Sequence, residues 1–194
     1  MNNDYVNTGR INQKLETRSK ILDSAKYFLN KRDSFNLEDV AEHTGISRAT
    51  IYRYFSNVEL LASEAVLDLS TKKPETLYED LKGKSIEDMI LGVQDYFNLL
   101  AIDHEAAFRK YLSTTLSSDS TKIIRGARRK KTLQLILETT KLSNKEKDNI
   151  ANLLTILMGI EPLIITKDVC GLDSRESKLL MRSGMELILK SLFK

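Results

Sequence analysis

The sequence predicts an all-α protein, on three observations. Glycine and proline are scarce, 8 and 2 in 194 residues, whereas sandwiches and barrels need both at their many tight turns. Apolar residues recur at helical spacing from Thr17 onward, and no stretch alternates apolar with polar between turn residues. The breaks between periodic stretches carry helix-cap chemistry: Ser143-Asn144-Lys145-Glu146 and Asp173-Ser174-Arg175-Glu176 each place a cap oxygen three residues before a carboxylate. About nine helices are expected, a compact N-terminal unit of three followed by a larger helical bundle.

Taken in order, residues 1–13 are polar, aperiodic and contain Gly9, and are expected to be a flexible arm. Ile21, Leu22, Ala25, Phe28 and Leu29 form one apolar stripe of a first helix, which closes at Lys31-Arg32-Asp33-Ser34. Asn36 reads as the cap of a second, short helix, with Asp39 placed to interact with its positive end and Leu37, Val40 and Ala41 as its buried side. Gly45-Ile46-Ser47 is a turn in which glycine supplies a left-handed backbone and Ser47 caps the third helix, Arg48 to Phe55. Ser56-Asn57 restarts a fourth from Val58 to about Ser70, and Lys72-Lys73-Pro74 breaks the chain. Further helices open at Ser85 and Asp103. The expected domains are 14–57 and 58–194.

Composition excludes much. A net charge of +3 is not that of a histone-like polycation, so any nucleic-acid binding must come from local placement of charge. The single cysteine, Cys170, rules out an intrachain disulfide. The polar start with Asp4 is unlike a signal peptide, and the apolar run Leu153 to Ile165 is interrupted by Glu161 and Pro162; a cytoplasmic protein without membrane contact is expected. Gly83-Lys84-Ser85 resembles the end of a phosphate-binding loop, but Tyr78 stands where its first glycine belongs. His104-Glu105 opens like a zinc-protease helix, but Phe108 replaces the second histidine. No cofactor, metal or catalytic site is expected, and His43 reads as an exposed residue without a special role.

The informative stretch runs from Asn36 to Asn57. Two short helices joined by a tight turn, behind a longer one, make a helix-turn-helix, whose second helix fits a DNA major groove about 12 Å wide. No acid occurs between Glu42 and Glu59, while Arg48 and Arg53 add positive charge. The run Gly45-Ile46-Ser47-Arg48-Ala49-Thr50-Ile51-Tyr52-Arg53-Tyr54-Phe55 resembles the helix-turn-helix signature of the TetR family of bacterial regulators. Leu37-Glu38-Asp39-Val40-Ala41 resembles the family's second helix and Ile21 to Phe28 its first.

The resemblance implies a transcriptional regulator, a repressor released by a small molecule, that contacts double-stranded DNA through Asn36, Ser47, Arg48, Thr50, Tyr52, Arg53 and Tyr54. It departs at Val58, where the family often has a phosphate-binding lysine; Arg10, Lys14 or Arg18 would have to compensate from the arm. Ile46, Ile51 and Phe55 face the first helix as core. The resemblance also implies that residues 58–194 bind an effector and pair two subunits into a homodimer. Candidate ligand residues are Tyr96, Phe97, His104, Phe108 and Tyr111, with Arg109 as a further polar anchor. Candidate interface residues are Leu153, Leu157, Ile160, Leu180, Gly184, Leu187 and Ile188, on helices apolar over too much of their circumference for one core. The basic run Lys122, Arg125, Arg128, Arg129, Lys130 and Lys131 reads as a solvated face. Two other readings compete: a DNA-binding regulator controlled by a protein partner or acting architecturally, and a small helical enzyme.

Overall fold

The computed structural model describes residues 3–31, 34–117 and 127–192, and every regular element among them is helical. The chain divides into two compact units, Met1–Ser70 with Lys110–Thr115, and Thr71–Arg109 with Leu116–Lys194.

The first unit contains α1 (Asn3–Lys31), α2 (Leu37–Thr44), α3 (Arg48–Tyr54) and α4 (Val58–Ser70). The expected arm is helical from Asn3, because Arg10 to Lys20 is rich in good helix formers and Gly9 costs only about 1 kcal/mol within a helix. The expected boundary at 57/58 also moves, since α4 belongs to this unit. Its Leu60, Leu61 and Ala65 join Ile21, Ala25, Leu37, Val40, Ile51 and Phe55 in one buried core. Ile21, Ile51, Phe55 and Leu61 have no exposed surface, and burying each such side chain stabilises the fold by about 1.5–3 kcal/mol.

An ion pair reinforces α1 against α4. The Arg18 guanidinium meets the Glu64 carboxylate at 2.5 and 2.6 Å and lies 4.9 Å over the Phe55 ring. Burial pushes the Glu64 carboxyl up from 4.5 to about 7, against the opposing pull of Arg18. The folded unit therefore binds a proton between pH 4.5 and about 7 that the unfolded chain has released, so stability falls as pH rises through that window. Urea midpoints are expected to decline from pH 5 to 7.5 in the native chain and to flatten in Glu64→Gln. A Glu64 carboxyl titrating below the usual carboxylate range by NMR would show that the arginine outweighs burial.

The second unit contains α5 (Pro74–Leu81), α6 (Ile86–Asp103), the first turns of α7 (Glu105–Ser117), α8 (Ala127–Leu137), α9 (Asn144–Thr155), α10 (Ile160–Ile164), a π-helical turn (Ile165–Val169) and α11 (Ser174–Leu192). Two helices exceed the expected count among the described residues. Pro74 does not merely break the chain; it opens α5 at a position where its missing N–H costs nothing. The apolar run after Ser143 is split between Thr155, where α9 ends, and Ile160, where α10 starts, with Gly159 preceding α10 at a φ of +87°. By length and composition Asn144–Val169 is apolar enough to cross a membrane, but this break interrupts it.

α6 is central, packing on α5, α8, α10 and α11 and burying Met89, Ile90, Val93, Phe97 and Leu100. Two buried amides on it, Gln94 and Asn98, bind backbone rather than each other. Gln94 donates to the carbonyls of Leu157 and Met181 at 2.9 and 2.8 Å, and Asn98 accepts from the Gly159 N–H at 2.8 Å. The basic run is not a uniformly solvated face: Arg129 is buried and donates to the Met158 carbonyl and the Glu161 carboxylate. Arg128 donates to the Thr71 carbonyl, Lys130 pairs with Asp148 and Lys131 with Glu75. Lys122 and Arg125 lie outside the described residues.

Candidate nucleic-acid interface

The two short helices are fixed by caps that the local sequence supplies. The Asn36 side chain accepts from the Asp39 N–H at 2.9 Å while the Asp39 carboxylate accepts from the Asn36 N–H at 2.8 Å, a reciprocal box. Gly45 takes φ +68°, the left-handed geometry needed to end α2, and its N–H donates to the Glu42 carbonyl. Thr44 steadies the turn by accepting from the Ile46 N–H at 3.3 Å and donating to the Val40 carbonyl at 2.7 Å. Ser47 then caps α3, accepting from the Thr50 N–H at 3.3 Å and donating to the Thr50 hydroxyl at 2.9 Å. Asn57 restarts the chain as α4 by accepting from the Leu60 N–H at 2.8 Å.

This frame buries one side of α3 and exposes the other. Ile51 and the adjoining Phe55 are fully buried, as expected, and Ile46 packs partly against the same core. Ser47, Arg48, Tyr52 and Arg53 are exposed and Thr50 half-buried, so five of the seven predicted contact residues share the outer part of this short helix and its cap. Tyr54 is half-buried, its ring against the core and the Arg53 guanidinium 5.8 Å from its centre. Asn36 is exposed at the start of α2 with its side-chain oxygen engaged in the cap. Among the compensating cations, Arg18 is taken up by Glu64; Lys14 is exposed, and the side chain of Arg10 lies outside what is described. His43 has a definite place: it shares a 2.8 Å hydrogen bond with Ser24 and stacks on Tyr27, ring centres 4.6 Å apart.

One participant escaped sequence reasoning. The Tyr52 hydroxyl donates to the Glu38 carboxylate at 2.9 Å, which raises the phenol's pKa above its ordinary value. An acid-free interval measured along the chain therefore overstates the positive field, because α2 brings an acid beside α3. The only available signal was Glu38 in the first turn of α2, a placement that the helix dipole alone accounts for.

The other predicted sets are dispersed. Phe97 is buried in the core of the second unit, with Tyr96 and Phe108 packed partly against it. The Tyr96 hydroxyl accepts from the Lys72 N–H at 2.7 Å. His104 ends α6, its N–H donating to the Leu100 carbonyl, and Tyr111 packs on the core of the first unit. Arg109 is engaged by Asp168, through two bonds of 2.6 and 2.7 Å, and by Glu105. Of the predicted interface residues, Ile160 is buried inside its own unit, which removes it from any outer face. Leu153, Leu180 and Leu187 are exposed, and Leu157, Gly184 and Ile188 are half-buried.

Comparison with known proteins agrees with this geometry. Residues 21–65, from the start of the apolar stripe of α1 into α4, match the family model described as bacterial regulatory proteins, tetR family. No curated protein matches the chain. The match ends inside α4 at Ala65, the last residue of the first unit's buried core cluster. With its caps, turn and outward-facing α3, the segment 21–65 is similar to the DNA-binding domain of bacterial regulatory proteins of the tetR family, which supports a DNA-binding transcriptional regulator.

Proposed function

We propose that the protein is a repressor that binds palindromic operators as a homodimer and is released by a small molecule bound in the second unit. The observation that carries the DNA part is the exposed row Ser47, Arg48, Tyr52 and Arg53 on α3, with its opposite side locked into the core by Ile51. A recognition helix of seven residues reads few bases, and two of them one DNA turn apart read a palindrome. The pairing of subunits is supported by apolar side chains left uncovered on α9 and α11: Leu153, Leu180 and Leu187 are 44%, 51% and 69% exposed.

In this reading Arg48 and Arg53 reach base edges or phosphates, Tyr52 donates to a phosphate, and the cap at Ser47 presents N–H groups to the backbone. Arg48→Ala is expected to weaken operator binding by roughly tenfold, the loss of about 1–3 kcal/mol for one good contact, without changing the dimer. Selection of bound sequences from random duplex DNA provides the operator, and gel-shift titration measures the loss. Unchanged affinity in Arg48→Ala would refute the contact, and a non-palindromic selected site would refute the paired reading. The close packing of Phe97 in the core favours a second reading of the effector part, a regulator controlled by a protein partner. Screening small molecules for release of the bound operator separates the two.

A further inference from the structure

Glu38 stands in the first turn of α2, and among the described residues its carboxylate bonds to nothing but the Tyr52 hydroxyl, at 2.9 Å. The tyrosine is 48% exposed, and Arg48, one turn earlier on α3, acts on it electrostatically. A phenol has one proton to donate, so it serves one acceptor at a time. A phosphate oxygen approaching this face competes with the Glu38 carboxylate for that proton. The side chain is not needed to complete the fold: it fills no core position, and the cap of α2 is made by Asn36 and Asp39.

We propose that Glu38 is an electrostatic brake built into the DNA-contacting face, a positioning residue that holds the Tyr52 ring in the free protein and lowers affinity for duplex DNA of any sequence. The proposal rests on the reading of α3 as the helix that meets DNA. The penalty is common to every sequence, so it lowers absolute affinity and leaves the ratio of cognate to non-cognate binding unchanged.

The test uses the full chain and a labelled mixed-sequence duplex, titrated across a salt series, with Glu38→Gln, Arg48→Ala, Tyr52→Phe and the Glu38→Gln/Tyr52→Phe double variant. Glu38→Gln is expected to bind about three- to tenfold tighter at low salt, with a dependence on log salt steeper by up to about one. Tyr52→Phe is expected to cost more in the Glu38→Gln background than in the native one, because the hydroxyl no longer has to leave a charged acceptor. Melting temperatures separate this from a helix-dipole role, which would shift stability and leave the salt slope alone. If Arg48→Ala weakens binding while Glu38→Gln changes neither affinity nor slope, the brake is wrong and the reading of α3 stands. If the native chain fails to bind duplex, or no variant alters binding, both fall together. A Glu38→Gln protein that binds more weakly would likewise overturn the brake.

Discussion

Arg129→Ala is expected to destabilise the second unit by about 2–4 kcal/mol, through loss of a charge-assisted hydrogen bond to a backbone carbonyl inside the unit and of the packing of its stem. The side chain is 10% exposed, and its guanidinium donates in two directions, to the Met158 carbonyl at the break between α9 and α10 and to Glu161 at 2.8 and 3.1 Å in the first turn of α10. It therefore ties the end of one helix to the start of the next. Without it the Met158 carbonyl loses a charged donor inside the unit, and truncation to alanine leaves a void in place of the guanidinium and its stem. Gly159, lying between these partners, is expected to be nearly as sensitive. Its φ of +87° strains any other residue, and a Cβ there would clash with Nη1 of Arg129. Gly159→Ala thus combines about 1–2 kcal/mol of backbone strain with displacement of the arginine. The double variant is expected to cost less than the sum of the two, because removing Arg129 also removes the atom that the new methyl group strikes. Urea denaturation of the four proteins measures this coupling, and strict additivity would show that the arginine does not clamp the break.

The contrast between these residues and the caps of the first unit shows what a sequence exposes. Asn36, Gly45 and Ser47 act on backbone groups within three residues of themselves. Their chemistry is therefore visible in a window of a few positions, and α2, the turn and α3 are legible to within a residue of their ends. The assignment of α4 was not, because what draws it to the first unit is Leu61 in a core with Ile21 and Glu64 paired with Arg18, partners some forty positions away. Arg129 was misjudged for a related reason. In a run of cations nothing local distinguishes the one that turns inward, and its partners Met158 and Glu161 stand 29 and 32 positions on. That Gly159, at a φ of +87°, lies at a break in the apolar run is not apparent from the run itself. Glu38 lies 14 positions from Tyr52, far enough to be overlooked although both belong to the one motif that the sequence announced.

Leu187→Asp is expected to turn a dimer into a monomer and, with it, to abolish tight binding of a palindromic operator while sparing weak binding to a half-site. On α11 the core is filled by Ser177, Met181, Met185 and Leu189, and Leu180, Gly184 and Leu187 fall on another part of the circumference. A Cβ at Gly184 would lie 3.9 Å from the Leu157 side chain, so this part of α11 packs beside the segment that follows α9. A monomer would leave Leu187 69% exposed beside Leu180, and a carboxylate there would then be neutral or favourable. In a paired arrangement the same carboxylate would be desolvated against apolar side chains, at several kcal/mol for each copy across a two-fold axis. The predictions diverge in sign as well as size. Sedimentation equilibrium is expected to give twice the chain mass of 22.1 kDa for the native protein and a single chain mass for Leu187→Asp, with its melting curve retaining a cooperative transition. Loss of the dimer removes the linkage between two recognition helices, so affinity for the full palindrome falls toward that for one half-site, a loss of roughly 10²-fold or more by the usual arithmetic of effective concentration. A native protein that sediments as one chain would refute the homodimer, and a Leu187→Asp protein that still dimerises would place the subunit interface elsewhere on the molecule.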